Sequence, residues 1–107
     1  MLPKSRRLSR LEFNKIFRAG KWISSVFFNG KFLAGAPKSG FAFVVSKSVA
    51  KTAVARNKIR RRCYNALHEL LSEYPETPTI IFISKKGIEK VPFKDLKKEI
   101  GAILNKF

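Results

Sequence analysis

The sequence is poor in cysteine, histidine and acidic residues. One cysteine cannot form an internal disulfide, and one histidine leaves no Cys/His cluster at the spacing of metal ligands. The seven Asp and Glu residues are scattered without a D-x-D pair, and no glycine-rich phosphate loop is present. These absences argue against a disulfide-stapled scaffold and against catalysis by protein side chains. We therefore predict no catalytic residue, no metal-binding residue and a reducing compartment.

Long hydrophobic runs are also absent. The longest uninterrupted apolar stretches, residues 41–45 and 80–83, have the length of a strand. The basic start of the chain is not followed by an apolar run of signal-peptide length. We therefore expect neither secretion nor a membrane partner, and we expect a cytoplasmic location.

Positive charge is what the sequence has in excess. Twenty-three Lys and Arg against seven acids give a formal net charge of +16 on 107 residues and a pI of about 10.6. Such a charge is typical of proteins that bind the phosphate backbone of nucleic acids, although a merely soluble basic domain is the alternative. A hydrophobic content of 45% with ten Phe is enough for one core. We predict a single domain over residues 1–107, with residues 1–8 flexible.

The order of predicted elements indicates an α/β or α+β fold. Ser9 and Glu12 form a capping-box pattern that predicts a helix from Arg10 to Gly20, with Phe13 and Phe17 on one face. Strands are predicted at 22–23, 26–33 and 41–45. Asn-Gly at 29–30 is a hairpin signal, but we predict one longer strand with a local irregularity there. A helix over about 53–73, a strand over 79–84 buried on both faces and a helix after Pro92 complete the order α-β-β-β-α-β-α.

The second predicted helix begins with a run of cations. Residues 56–62 read RNKIRRR, and no acid occurs between residues 46 and 65. Cations at a helix N-terminus oppose the helix dipole, so we expect them to serve an external polyanion and to be dispensable for folding. Lys58 and Arg62 are predicted to point away from the core, and Lys47 and Lys51 extend the basic edge. The alternative is the charged outer face of an ordinary amphipathic helix.

Aromatic residues form a second feature. Most of the ten Phe side chains are expected to fill the core. An open sheet face flanked by a helix is also a common stacking platform for unpaired bases. His68 is expected at the surface, and Cys63 is expected to be a small buried side chain.

Residues 46–61, SKSVAKTAVARNKIRR, carry a family resemblance. They resemble the signature of the bacterial ribonuclease P protein component, which is S-K-K, a short variable link and R-N-R-I-K-R. The resemblance covers nearly the whole chain, including the first helix, the strand at 40–45 and the late strand and turn at 80–87. The chain departs from the family pattern at Gly40, Ser48, Lys58, Arg60, Arg62 and Tyr64.

The resemblance implies a small α-β sandwich with a left-handed βαβ crossover leading through the basic helix. It also implies a ribonucleoprotein whose catalytic RNA subunit, with Mg²⁺, removes the 5′ leader of precursor tRNA. The partners expected are this RNA subunit and precursor tRNA, with no obligate protein partner. The residues expected to contact the RNA subunit are Lys47, Arg56, Asn57, Lys58, Arg60 and Arg61, to which the basic run adds Lys51 and Arg62. Those expected in a cleft for the leader are Phe13, Phe17 and, more weakly, Lys31.

Three other classes of protein fit parts of the pattern. A ribosomal or other structural RNA-binding protein is the nearest alternative, because small basic α/β domains are common there. A DNA-binding architectural protein is less favoured, since no helix-turn-helix or groove-inserting arm is evident. A protein-only nuclease comes last because catalytic groups are lacking.

Overall fold

Capping residues set the start of the first two helices. In the computed structural model, which describes residues 7–33, 40–74 and 77–107, α1 spans Arg10–Ala19, α2 spans Ala53–Leu70 and α3 spans Phe93–Leu104. The predicted capping box is confirmed: Glu12 N–H donates to Ser9 Oγ at 3.2 Å, and Ser9 N–H donates to Glu12 Oε1 at 3.0 Å. The hydroxyl of Thr52 accepts from Ala55 N–H at 3.1 Å and caps α2.

The four strands form one mixed sheet. They are β1 (Lys21–Ser24), β2 (Phe28–Leu33), β3 (Phe41–Val44) and β4 (Thr79–Ser84), in the spatial order β1-β2-β4-β3. β2 runs antiparallel to β1 and β4, whereas β3 and β4 are parallel and are connected through α2. The predicted element order and the α+β class are confirmed, and the hand of the crossover stays a prediction. Short 3₁₀ turns at Leu71–Glu73 and Ile88–Lys90 follow α2 and precede α3.

The strand predicted over 26–33 is shorter and more regular than expected. It begins at Phe28, and residues 25–27 form the hairpin turn to β1. Partners distant in sequence hold this turn: Phe27 N–H donates to Glu99 Oε1 at 3.0 Å, and Lys85 Nζ donates to Ser25 O at 2.6 Å. The expected irregularity at 29–30 is absent, because the β1–β2 pairing passes through Gly30 without a bulge.

A glycine at position 30 is explained by close packing against the neighbouring strand and not by a turn. A Cβ atom at this position would lie 2.6 Å from Ile23 Cγ2, on the neighbouring strand. No side chain approaches that closely without displacing its neighbour. The Asn-Gly pair therefore gives a misleading hairpin signal, because its glycine makes room for a cross-strand isoleucine.

The two faces of the sheet are covered unequally. On one face, Phe28, Phe43 and Phe82 pack with the apolar sides of α2 and α3 in the main core. On the other face lies α1, which contacts β2 and β4 and buries Ile16. The predicted burial of β4 is confirmed, since five of its six residues are buried and Ile83 is half-buried.

The outer edge of β3 is protected by Tyr64 and by residues 7–8. Phe43 N–H donates to Tyr64 Oη, 3.3 Å away on α2, and Leu8 N–H donates to Phe41 O at 3.1 Å. Arg7 forms a parallel bridge with Phe41. These contacts occupy backbone groups that an open edge strand would offer to another chain. Residues 1–6 of the segment predicted to be flexible lie outside the described residues.

None of the helices in the described part of the chain combines the length and the apolar composition needed to cross a membrane.

Candidate nucleic-acid interface

A groove on α2 gathers part of the predicted basic set. Its lining residues are Arg7, Asn57, Arg60, Arg61 and Tyr64, which we call the basic groove, and its volume is about 560 Å³. Arg60 Nη2 donates to Asn57 Oδ1, so the amide orients this guanidinium. The described lining contains three guanidinium groups and no carboxylate. This arrangement suits an anion that accepts several hydrogen bonds, such as a phosphate.

Arg7 and Tyr64 were not predicted as parts of the site. Arg7 reaches the groove because its backbone pairs with β3, beside the start of α2. Burial raises the pKa of Tyr64, and this rise is opposed by the hydrogen bond from Phe43 and by the charges of Arg7 and Arg60. The phenol therefore stays neutral at physiological pH and anchors the groove to the sheet. The sequence contains no local signal for Arg7, because its position depends on pairing with β3. Tyr64 could have been found from helical spacing, since it follows Arg60 and Arg61 by one turn on the same side of α2.

Arg56 turns back toward the chain that precedes its helix. Its Nη1 atom donates to the carbonyl oxygens of Ala50 and Lys51, each at 3.0 Å. The side chain is half-buried and fixes the turn between β3 and α2. Arg56 thus has a structural role that the sequence did not predict, and its contact with RNA stays a prediction.

Lys58 and Arg62 lie together on a different flank of α2. They line a second groove of about 350 Å³ with Val49, Ala50, Ala55, Ile59 and Glu89. Lys58 is exposed as predicted, but the prediction that Arg62 points away from the core was wrong. Arg62 is half-buried, and its Nη2 atom donates to Val91 O at 2.6 Å. The guanidinium reaches the segment before α3, which follows Arg62 by almost thirty residues and could not be located from helical spacing alone.

Lys47 and Lys51 occupy the turn between β3 and α2. Both side chains are exposed, and the backbone of this turn is held by Val49 N–H donating to Ser46 O at 3.1 Å. The Arg56 bond to Lys51 O fixes the second lysine further. The predicted extension of the basic edge toward β3 is therefore present as an exposed surface.

The predicted cleft residues meet at an aromatic corner on the α1 face of the sheet, formed by Phe13, Phe17, Trp22 and Lys31. The rings of Phe13 and Phe17 stack with centroids 5.8 Å apart, and Trp22 meets Phe17 edge-on at 6.3 Å. Lys31 Nζ lies 4.9 Å from the Phe17 centroid and 4.7 Å from the Trp22 centroid, and it donates to Phe17 O. Trp22 was not predicted: alternation with Ile23 separates the two side chains onto opposite faces, and only the pairing of Trp22 with Lys31 shows which face is which.

No second chemistry is evident at Cys63 or His68. Cys63 is fully buried, and burial raises the pKa of its thiol to about 12, an effect that the charge of Arg62 partly opposes. The thiol is therefore protonated and unreactive at neutral pH. His68 is exposed on α2. Within residues 7–33, 40–74 and 77–107, no three His, Cys, Asp or Glu side chains are grouped to hold a metal ion.

Comparison with known proteins decides the family. The family model described as Ribonuclease P matches residues 2–107. The chain belongs to the ribonuclease P protein family. Membership places it in the ribonuclease P ribonucleoprotein and in tRNA processing.

Relatives in sequence and in structure agree with this assignment. The ribonuclease P protein component of Listeria innocua is 32% identical over 109 residues, covering 97% of this chain and 88% of the relative. The ribonuclease P protein component of a Pseudanabaena species is 29% identical over 109 residues, covering 99% of this chain and 94% of the relative. The solved RNase P protein from Thermotoga maritima superposes with a TM-score of 0.81 at 24% identity, covering 94% of this chain and 96% of that one. An RNase P protein from Staphylococcus aureus gives 0.73 at 20% identity, covering 95% and 94%. The structural likenesses show the shared fold.

Proposed function

We propose that this chain is the protein subunit of a ribonuclease P holoenzyme that binds a catalytic RNA and the 5′ leader of precursor tRNA. The observation that carries the proposal is the basic groove, in which Arg7, Arg60 and Arg61 converge along the first half of α2 without a carboxylate among the described lining residues. We assign the RNA subunit to this groove, which Asn57 also lines. The neighbouring lysines Lys47, Lys51 and Lys58 are assigned to the same partner.

The leader is assigned to the α1 face of the sheet. Phe13, Phe17 and Lys31 line that face at the β1–β2 side, whereas the basic groove lies at the β3 edge. Three strand spacings, about 14 Å, separate the two edges of the sheet. A single strand bound on this face would therefore remain close to a nucleic acid held by α2, which is the geometry needed to recognise two parts of one substrate complex.

Hydrolysis is assigned to the RNA subunit and Mg²⁺, and the protein supplies binding and orientation. In the described part of the chain no three carboxylates are grouped to hold a metal ion, and three of the acids have protein partners. Glu12 closes the capping box, Glu69 pairs with Lys97 at 3.3 Å and Glu99 accepts from Phe27 N–H. We therefore derive no catalytic step from a protein side chain.

The proposal is tested by reconstitution. The purified chain is combined with the RNA subunit of its source organism, and 5′-leader removal from precursor tRNA is measured with each component alone and together. We expect the protein to raise cleavage by the RNA at low Mg²⁺ and to cleave nothing by itself. Arg61→Ala should weaken assembly, while Lys98→Ala, an equal loss of charge on an exposed part of α3, should not.

Two results would contradict the proposal. Cleavage by the protein alone would show that its own side chains are catalytic. Co-purification of ribosomal RNA without any effect on leader removal would support a structural RNA-binding protein instead.

A further inference from the structure

Trp22 is a large apolar side chain that is mostly exposed to solvent. It lies on β1 at the edge of the sheet, opposite Lys31 in the β1–β2 register, and it shares the sheet face with α1. The side chain is 58% exposed. Burying an indole contributes strongly to stability, so leaving more than half of it exposed forgoes that gain.

Lys31 makes a cation–π contact with this indole. Its side chain is only 9% exposed, and its ammonium group lies between the Trp22 and Phe17 rings while donating to Phe17 O. A cation at that carbonyl also complements the C-terminal end of α1. These contacts favour one orientation of Trp22, and a side chain positioned in this way loses less entropy when a ligand binds.

The two rings beside Lys31 differ in how much surface they offer. Among the described residues, Phe17 has ring or cation contacts with Phe13, Trp22 and Lys31, whereas Trp22 has them with Phe17 and Lys31 alone. Phe17 is also less exposed, at 43%. A planar ligand therefore finds a larger free ring surface on Trp22 than on Phe17.

We propose that Trp22 is a nucleobase-stacking residue, on which an unpaired base of a bound single strand rests. The inference rests on the proposed function and identifies the residue that makes the main stacking contact with the leader. Phe13 and Phe17 support the corner from α1. The occupant is a single-stranded nucleic acid and not a second copy of the chain, because a net charge of +16 attracts a polyanion and repels another copy.

The first test uses the fluorescence of Trp22, the only tryptophan in the chain. The full-length protein is titrated with a short unstructured RNA and, separately, with an abasic oligonucleotide of the same length and charge. Stacking predicts saturable quenching by the base-containing strand and little change with the abasic one. Equal responses to both strands would mean that phosphate binding alone perturbs the indole, and this would overturn the proposal.

The second test measures discrimination in the reconstituted holoenzyme. Trp22→Leu should reduce affinity for precursor tRNA about 5- to 150-fold, the range that corresponds to the loss of one base–aromatic stack. Affinity for mature tRNA, which has no leader, should stay unchanged. Trp22→Phe should restore most of the lost affinity. Phe107→Leu is the matched control, because Phe107 is a part-exposed aromatic residue that packs on Phe32, on the opposite face of the sheet.

The outcomes separate this inference from the function on which it rests. If Trp22→Leu retains RNA-subunit binding and full discrimination, the assignment of Trp22 is wrong and the proposed function stands. If the wild-type protein binds neither the RNA subunit nor precursor tRNA, the proposed function itself fails. Quenching that follows protein concentration without RNA would indicate a second copy on this face and would also overturn the proposal.

Discussion

Arg56 and Arg61 lie on the same helix but have different surroundings. The sequence predicts that both are dispensable for folding, because each opposes the dipole of α2. The structure supports this for Arg61, which is exposed in the basic groove. For Arg56 it argues the opposite, because the guanidinium bonds two carbonyl groups of the preceding turn. Of these two arginines, one is therefore free to contact a ligand and the other is engaged within the fold.

We expect Arg56→Ala to lower the free energy of unfolding by about 1–2 kcal/mol. Two charge-assisted hydrogen bonds are lost, and relief of the dipole repulsion offsets part of that loss. Arg61→Ala should stay within about 0.5 kcal/mol of the wild type. Urea denaturation of the free protein measures both values. An Arg56→Ala variant as stable as the wild type would show that the turn does not depend on this side chain.

Cys63 should make stability depend on pH in the alkaline range. Burial raises the pKa of the thiol from 9.0 to about 12. Between these values the unfolded chain loses the thiol proton while the folded chain keeps it, so the unfolding free energy falls by about 1.4 kcal/mol per pH unit. Below pH 9.0 this contribution is fully present.

The measurement compares the wild type with Cys63→Ala at a series of pH values. Lysine and tyrosine titrations are shared by both proteins, so the difference between their unfolding free energies isolates the thiol. We expect a constant difference below pH 9.0 and a decline of the wild type relative to the variant above it. A difference that does not change with pH would mean that the thiol ionises equally easily in both states.

At the scale of elements, the junction between α1 and the sheet is unusually close. A Cβ atom at Gly20 would lie 2.6 Å from Ile16 O and 2.8 Å from Phe32 O. Both are backbone atoms, so a side chain here must push α1 away from β2. The φ angle of Gly20 is −74°, which any residue adopts, and the constraint is therefore one of space. This close approach positions Phe17 over Lys31 in the aromatic corner.

We expect Gly20→Ala to destabilise the protein by about 1–3 kcal/mol through overpacking. The displaced helix should also reduce discrimination between precursor and mature tRNA in the holoenzyme. Gly101→Ala, inside α3, is the matched control, since its new methyl group would lie at an ordinary 3.8 Å from Leu70 on α2. That substitution should add about 0.5–1 kcal/mol of stability. Thermal or urea unfolding compares the two variants, and equal effects would argue against a tight α1–sheet junction.

At the scale of the whole molecule, charge dominates. A net charge of +16 makes association with RNA strongly dependent on salt, because each neutralised phosphate releases counterions. Contacts that touch phosphate contribute to the salt slope, whereas cations used within the fold contribute less. Arg61 and Arg62 are neighbours in sequence, but Arg61 lines the basic groove whereas the Arg62 guanidinium donates to Val91 O.

We expect Arg61→Ala to reduce the magnitude of the slope of log K against log salt by about 0.7–0.9 for binding to the RNA subunit. Arg62→Ala should change that slope less, because its guanidinium is engaged with Val91 O. Lys98→Ala controls for the loss of one charge anywhere on the surface. Filter binding across a range of salt concentrations provides the slopes. Equal slopes for the Arg61 and Arg62 variants would place both residues against phosphate.

The sequence by itself determined the helices, the central strand, the family and the excess of positive charge. Their signals are local: Ser9 and Glu12 cap α1 through neighbouring backbone groups, and the unbroken apolar run of β4 demands cover on both faces. The excess of positive charge likewise follows from the sequence without knowledge of the fold. Elements that are stabilised by interactions between residues close in sequence can therefore be predicted from the sequence.

Only the tertiary structure decided the hairpin turn, the orientation of Arg62 and the membership of the two candidate surfaces. The turn at 25–27 depends on Glu99 and Lys85, and Arg62 finds its acceptor at Val91. Arg7 enters the basic groove by pairing with β3, as Trp22 enters the aromatic corner through its contact with Lys31. Each of these depends on segments that are far apart in the chain, and their free energy of interaction exists only once the sheet and helices have packed together.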